Sequence, residues 1–135
     1  MKILVIDDSR ADRDMLITHI KNTNSRSAIE TEESNCLKDG LKKLKENDYD
    51  VIILDLILPE SDGVDTVKHV LAHLKAIGKD IPVIVLTGTE DYSVGRKVWL
   101  LGIKDYLIKD EIQSTDIARA LKFATYSKDT RSVLA

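Results

Sequence analysis

Three uninterrupted apolar runs stand out along the chain: Ile3 to Ile6, Val51 to Leu54 and Ile81 to Leu86. None alternates with polar positions, so each predicts a strand covered on both faces, the pattern of a parallel sheet. Between and after them, apolar residues recur at spacings of three, four and seven. Leu16 and Ile20 predict a first helix, Leu37, Leu41 and Leu44 a second, and Val64, Val67, Leu71 and Leu74 a third. Val94, Val98 and Leu101 predict a fourth, and Ile117, Leu121 and Ala124 a fifth, because each set falls on one helical face. DYLI at Asp105 to Ile108 reads as a further strand between the last two.

Ser9 followed three residues later by Asp12 has the spacing of a capping box, which starts the first helix directly after an acidic turn. The segment Ala28 to Ser34 alternates weakly and carries three glutamates, so as a strand it can bury one side only and belongs at a sheet edge. Strictly alternating β and α elements with right-handed crossovers predict an α/β fold: a flavodoxin-like, doubly wound, five-stranded parallel sheet in the order 2-1-3-4-5 with five helices.

Composition narrows the picture without changing it. The chain has 135 residues, 43% hydrophobic and 32% charged, which is the balance of one globular domain. We expect a domain over residues 1–127 and a short tail over 128–135, with no output module. A net charge of −3 argues against a nucleic-acid backbone binder, which needs clustered Lys and Arg. The single cysteine, Cys36, excludes an internal disulfide and a thiolate zinc site. No segment reaches membrane-spanning length and no signal-peptide core follows Met1, so the expected location is cytoplasmic.

The chemistry sits at the strand ends. Asp7 and Asp8 follow the first strand, Asp55 the third, Thr87 the fourth and Lys109 the fifth. In this sheet type, ligands bind at the C-terminal ends of the strands. Three carboxylates about 4 Å apart repel by roughly 4 kcal/mol per pair at an effective dielectric near 20, so a cation is required among them. Magnesium fits, since it takes oxygen ligands and commonly one or two carboxylates with waters and phosphate oxygens.

The segments KILVIDDS, VIILDLILPESDG, IPVIVLTG and DYLIK, in this order and spacing, resemble the response-regulator receiver domains of two-component signalling systems, from about Lys2 to Tyr126. The resemblance implies a stand-alone switch similar to the chemotaxis receivers rather than an enzyme proper. Asp55 would be the phosphoacceptor, with Asp7, Asp8, Asp55 and the backbone carbonyl of Ile57 as ligands of Mg2+, for which Mn2+ could substitute. Lys109 and Thr87 would meet the phosphoryl oxygens, and Tyr106 with Thr87 would form the switch pair. The phosphoryl donor would be a histidine kinase or a phosphotransfer protein. The output would be a changed protein-binding surface on the fourth helix, fifth strand and fifth helix, for a downstream protein target. Phosphorylation-dependent homodimerisation through that surface is left open, and neither nucleic acid nor membrane is an expected partner.

Two departures qualify the resemblance. Receivers commonly carry proline after the lysine, whereas Asp110 follows Lys109 here, so no cis peptide is expected. Ile57 and Thr89 occupy the positions beside the phosphoryl group and neither readily orients an attacking water, so self-dephosphorylation should be slow. Trp99 is either a partner anchor or a cap on the groove beside the fourth helix. His69 and His73 have a zinc spacing but lack a third ligand, and read as surface histidines. Three rival readings remain: a phosphohydrolase built on the same acidic cluster, a binding module that has lost the switch, and a nucleotide or flavin binder. The first wants a DxD nucleophile and a cap, and the last a Gly-rich loop, where this chain has DDSRAD.

Overall fold

The computed structural model describes residues 1–23, 28–88 and 91–134, with side chains to residue 125. Its elements run β1 (Lys2–Ile6), α1 (Arg10–Lys21), β2 (Glu30–Ser34), α2 (Leu37–Glu46), β3 (Val51–Leu54), β4 (Ile57–Leu58), β5 (Ser61–Asp62), α3 (Val64–Ala76), β6 (Val83–Thr87), α4 (Tyr92–Leu100), β7 (Asp105–Ile108) and α5 (Ser114–Leu134). Five strands form one parallel sheet in the order β2-β1-β3-β6-β7, the predicted 2-1-3-4-5 arrangement. The remaining two, β4 and β5, pair as a small antiparallel hairpin directly after Asp55.

The apolar runs behave as the missing alternation requires. All four residues of β3 and all five of β6 are buried, and the two faces of the sheet feed separate cores. On one side Leu4, Ile6, Ile52, Leu54, Val83 and Val85 pack with α2, α3 and α4 residues such as Leu44, Val67, Val70 and Val98. On the other, Ile3, Val5, Ile53, Ile84 and Leu86 meet Leu16 and Ile20 of α1 and Ile117 and Leu121 of α5. The glutamate-bearing strand β2 lies at the edge and pairs only with β1 among the described residues, as its weak pattern implied.

Close approach of α2 to the sheet depends on Gly40. A Cβ at that position would fall 2.6 Å from Cδ1 of the buried Ile6, well inside contact distance. Helix α1 begins as expected, with the Ser9 hydroxyl accepting from the Asp12 amide at 3.2 Å. Among the described residues no peptide is cis, and no helix is long and apolar enough to cross a membrane.

Candidate functional site

Strand register assembles the site before any side chain is considered. Ile6 is level with Leu54, so the next residues, Asp7 and Asp55, leave adjacent strands side by side. Thr87 is level with Ile108, which sets Lys109 one residue beyond it on the outer strand. Backbone bonds continue the ladder past the strand ends: the Asp55 amide donates to Ile6 at 2.9 Å, Asp7 to Ser34 at 3.0 Å and Lys109 to Thr87 at 2.9 Å. The polar residues are therefore held by the sheet itself, not by free loops.

Around this frame, Asp7, Asp55, Thr87 and Lys109 are all buried, while Asp8 is exposed at the rim. The Lys109 ammonium lies 2.7 Å from Asp7 Oδ2 and 2.8 Å from Asp55 Oδ2. A third carboxylate also reaches it, Oδ2 of Asp12 at 2.8 Å. Burial pushes the Asp7 carboxyl above the ordinary carboxylate range, against the pull of the Lys109 ammonium. For Lys109, burial lowers the pKa, but bonds to Asp12, Asp55 and Asp7 outweigh it and hold the group above the usual lysine value. It is a fixed cation inside an excess of negative charge.

Oxygens of Asp7, Asp8 and Asp55 lie within 4.8 Å of one another. These three carboxylates are near enough to one another to be able to hold one small divalent cation, such as magnesium, together. All the donors are hard oxygens, which suits magnesium or manganese over zinc. Thr87 adds a second observation. It is 1% exposed and its hydroxyl has no hydrogen-bond partner among the described residues, a buried polar group that a ligand oxygen would satisfy.

The hairpin after Asp55 is pinned from several directions. The Ile57 amide donates to Asp55 Oδ1 at 3.1 Å, and the Gly63 amide to the Leu56 carbonyl at 3.0 Å. The hydroxyl of buried Thr66 on α3 lies 2.7 Å from the same carbonyl and 3.0 Å from Ser61 Oγ. Gly63 turns the chain into α3 with φ of 64°, a conformation open to glycine at little cost. At the hairpin tip, the Glu60 carboxylate accepts from the first amides of α2, Leu37 at 3.1 Å and Lys38 at 2.9 Å. The Lys38 amide foremost draws the Glu60 carboxyl below its ordinary value.

A model described as the response regulator receiver domain matches residues 3–122. The chain belongs to that family. This receiver domain is 32% identical over 111 residues to the response regulator MprA of Mycobacterium leprae, an alignment covering 81% of the chain and 44% of that protein. It is 29% identical over 108 residues to the transcriptional regulatory protein SrrA of Staphylococcus aureus, covering 80% and 41% respectively. The chain thus spans less than half the length of these curated relatives. Among solved structures, a receiver domain protein from Clostridium thermocellum superposes with a TM-score of 0.79 at 25% identity, covering 96% of this chain and 97% of that one. A CheY-like receiver from Methanospirillum hungatei shares the fold with the same TM-score, 0.79, at 18% identity, again covering 96% and 97%. Receiver domains accept a phosphoryl group on an aspartate from histidine kinases or phosphotransfer proteins, bind Mg2+ at an aspartate cluster and work as phosphorylation-dependent switches.

Tyr106 is half-buried on β7, its ring 3.7 Å from where a Cβ on Gly95 of α4 would sit. Trp99 is 49% exposed and lines a groove of about 630 Å³ with Tyr92, Gly95, Leu100 and Tyr106. Thr89 lies outside the described residues. His69 is exposed, but His73 is half-buried, with Nε2 2.8 Å from the Leu41 carbonyl; it bridges α3 to α2, where the sequence suggested a plain surface position.

Sequence reasoning missed Asp12, Arg13, Glu60 and Thr66. Arg13 donates to the Asp7 backbone carbonyl at 2.7 Å and to Glu33 at 3.0 Å, tying the acidic turn to edge strand β2. Asp12 carried a signal that was read for its backbone role alone, as a helix-start residue. Its carboxylate direction depends on a lysine 97 positions away.

Proposed function

We propose that this receiver domain accepts a phosphoryl group on Asp55 from a histidine kinase or a phosphotransfer protein, with Mg2+ held by Asp7, Asp8, Asp55 and the backbone carbonyl of Ile57, Mn2+ substituting. Bound there, the ion supplies positive charge against the transferring phosphoryl group. The observation that carries the reading is the 2.8 Å contact of Lys109 Nζ with Asp55 Oδ2, together with the buried Thr87 hydroxyl, which has no hydrogen-bond partner among the described residues.

In the transfer, Asp55 attacks phosphorus, the donor's N–P bond breaks as the O–P bond forms, and the donor histidine leaves with the electron pair. Lys109 stays protonated and donates to one phosphoryl oxygen; the Thr87 hydroxyl turns to donate to another. Drawing Thr87 inward vacates space behind it. Tyr106 then moves inward, and the groove lined by Tyr92, Trp99 and Leu100 changes shape for a downstream protein target. Ile57, with an exposed apolar side chain beside the site, offers nothing to orient water, so the aspartyl phosphate should decay slowly.

Intact-mass measurement after treatment with acetyl phosphate and MgCl2 tests this directly. We expect one added phosphoryl group in the wild type and none in Asp55→Asn. Full phosphorylation of Asp55→Asn would overturn the assignment.

A further inference from the structure

Lys109 is shared by one carboxylate more than the proposed phosphoacceptor and metal ligands require. The Lys109 ammonium donates to Asp12 Oδ2 and Asp55 Oδ2, each at 2.8 Å, and forms a close ion pair with Asp7 Oδ2 at 2.7 Å. The three partners are not equivalent. Asp7 and Asp55 have side chains only 7% exposed and both belong to the cluster able to hold a metal ion, whereas Asp12 is 39% exposed and stands outside that cluster.

We propose that Asp12 is a positioning residue for phosphoryl transfer: it keeps Lys109 aimed at the reacting oxygen when Asp7 and Asp55 turn to the metal and the phosphoryl group. The proposal rests on Asp55 being the phosphoacceptor. Geometry supports it in two further ways. The Asp12 backbone is fixed in the first turn of α1, where its amide donates to Ser9 Oγ at 3.2 Å, so the carboxylate projects from a rigid element. The Ser9 amide, which a capping-box partner would occupy, is instead taken by Asp7 Oδ1 at 2.9 Å, leaving the Asp12 carboxylate free to face Lys109. On the other side, Lys109 directly follows β7 and passes into Asp110, with no proline ring to stiffen the backbone. A side-chain anchor from α1 supplies the constraint from outside the strand. As a carboxylate, Asp12 also adds one negative charge near the metal ligands.

These two roles separate experimentally, because asparagine keeps an oxygen acceptor and drops the charge, while alanine drops both. Mg2+ affinity, read by calorimetry on the unphosphorylated protein, should weaken roughly threefold in both Asp12→Asn and Asp12→Ala through loss of the nearby charge. The phosphorylation rate by acetyl phosphate at saturating Mg2+ should fall about tenfold in Asp12→Ala, as expected for a misplaced catalytic ammonium, and stay near wild type in Asp12→Asn. An unchanged saturating rate in Asp12→Ala overturns the proposal, as does an equal loss in both variants. Asp55→Asn run alongside keeps the two readings apart: if it is still phosphorylated, the phosphoacceptor assignment fails; if it is inert while Asp12→Ala is unimpaired, only the role of Asp12 fails.

Discussion

The two flanks of Asp55 are built differently. On the side of α2, α3 and the β4–β5 hairpin, side chains grip backbone across elements: Thr66 on Leu56, Glu60 on the start of α2, His73 on Leu41, and Lys79 on the carbonyls of Leu44 and Asn47 at 2.8 Å each. On the side of α4 and β7 the surface is apolar and open, with Leu100 80% exposed, Trp99 beside it and Tyr106 resting against a glycine. Directional bonds hold one geometry, while exposed apolar side chains such as Leu100 and Trp99 can repack at small cost. The contrast fits a device that must keep its acidic pocket constant and let its far surface respond.

Lys109→Met strikes where both flanks converge. It leaves buried Asp7 and Asp55 without their cation, and we expect a loss of about 3 kcal/mol in metal-free buffer, because breaking a buried ion pair strands a charge. Added MgCl2 should restore part of it. Urea titration with and without the metal reads both, and an unaffected midpoint in metal-free buffer would contradict the pocket's charge balance.

Thr66→Val tests the gripped flank by removing a hydroxyl at constant shape. The buried Leu56 carbonyl keeps the Gly63 amide, so the expected loss is about 1–2 kcal/mol. If the hairpin is held by packing alone, equilibrium unfolding of this variant will match the wild type.

Glu60→Gln should cost less, a few tenths of a kcal/mol, since a solvent-screened carboxylate at a helix N-terminus contributes modestly. Its value lies in pH. The folded-state pKa of Glu60 is lowered, so its contribution is complete above the unfolded value near 4.5 and is lost as pH falls through the folded value. Stability curves of wild type and Glu60→Gln, measured from pH 7 downward, should therefore converge below pH 4.5; parallel curves would remove Glu60 from the account.

Leu100→Ser addresses the open flank and should change stability by under about 0.5 kcal/mol, because the side chain is already largely in water. A cost approaching that of Thr66→Val would erase the distinction between the flanks. Fluorescence of Trp99, the sole tryptophan, should shift on phosphorylation if this face responds.

The order of elements, the buried parallel strands, the edge placement of β2 and the start of α1 followed from the sequence alone. Each depends on local periodicity or on a short-range hydrogen bond that residue spacing encodes. Asp7, Asp8, Asp55, Thr87 and Lys109 were legible as a group because they stand at the ends of strands that neighbour one another in the predicted order, and a parallel sheet aligns such ends. Tertiary structure alone decided which way each side chain turned: that Asp12 reaches across to Lys109, that Arg13 clasps the Asp7 carbonyl, that Glu60 caps a helix 22 residues before it, and that His73 bridges two helices. All but the Arg13–Asp7 contact join residues distant in the chain, and all involve polar groups with several possible partners, so their choice is set only when packing fixes which donor and acceptor come within 3 Å of each other.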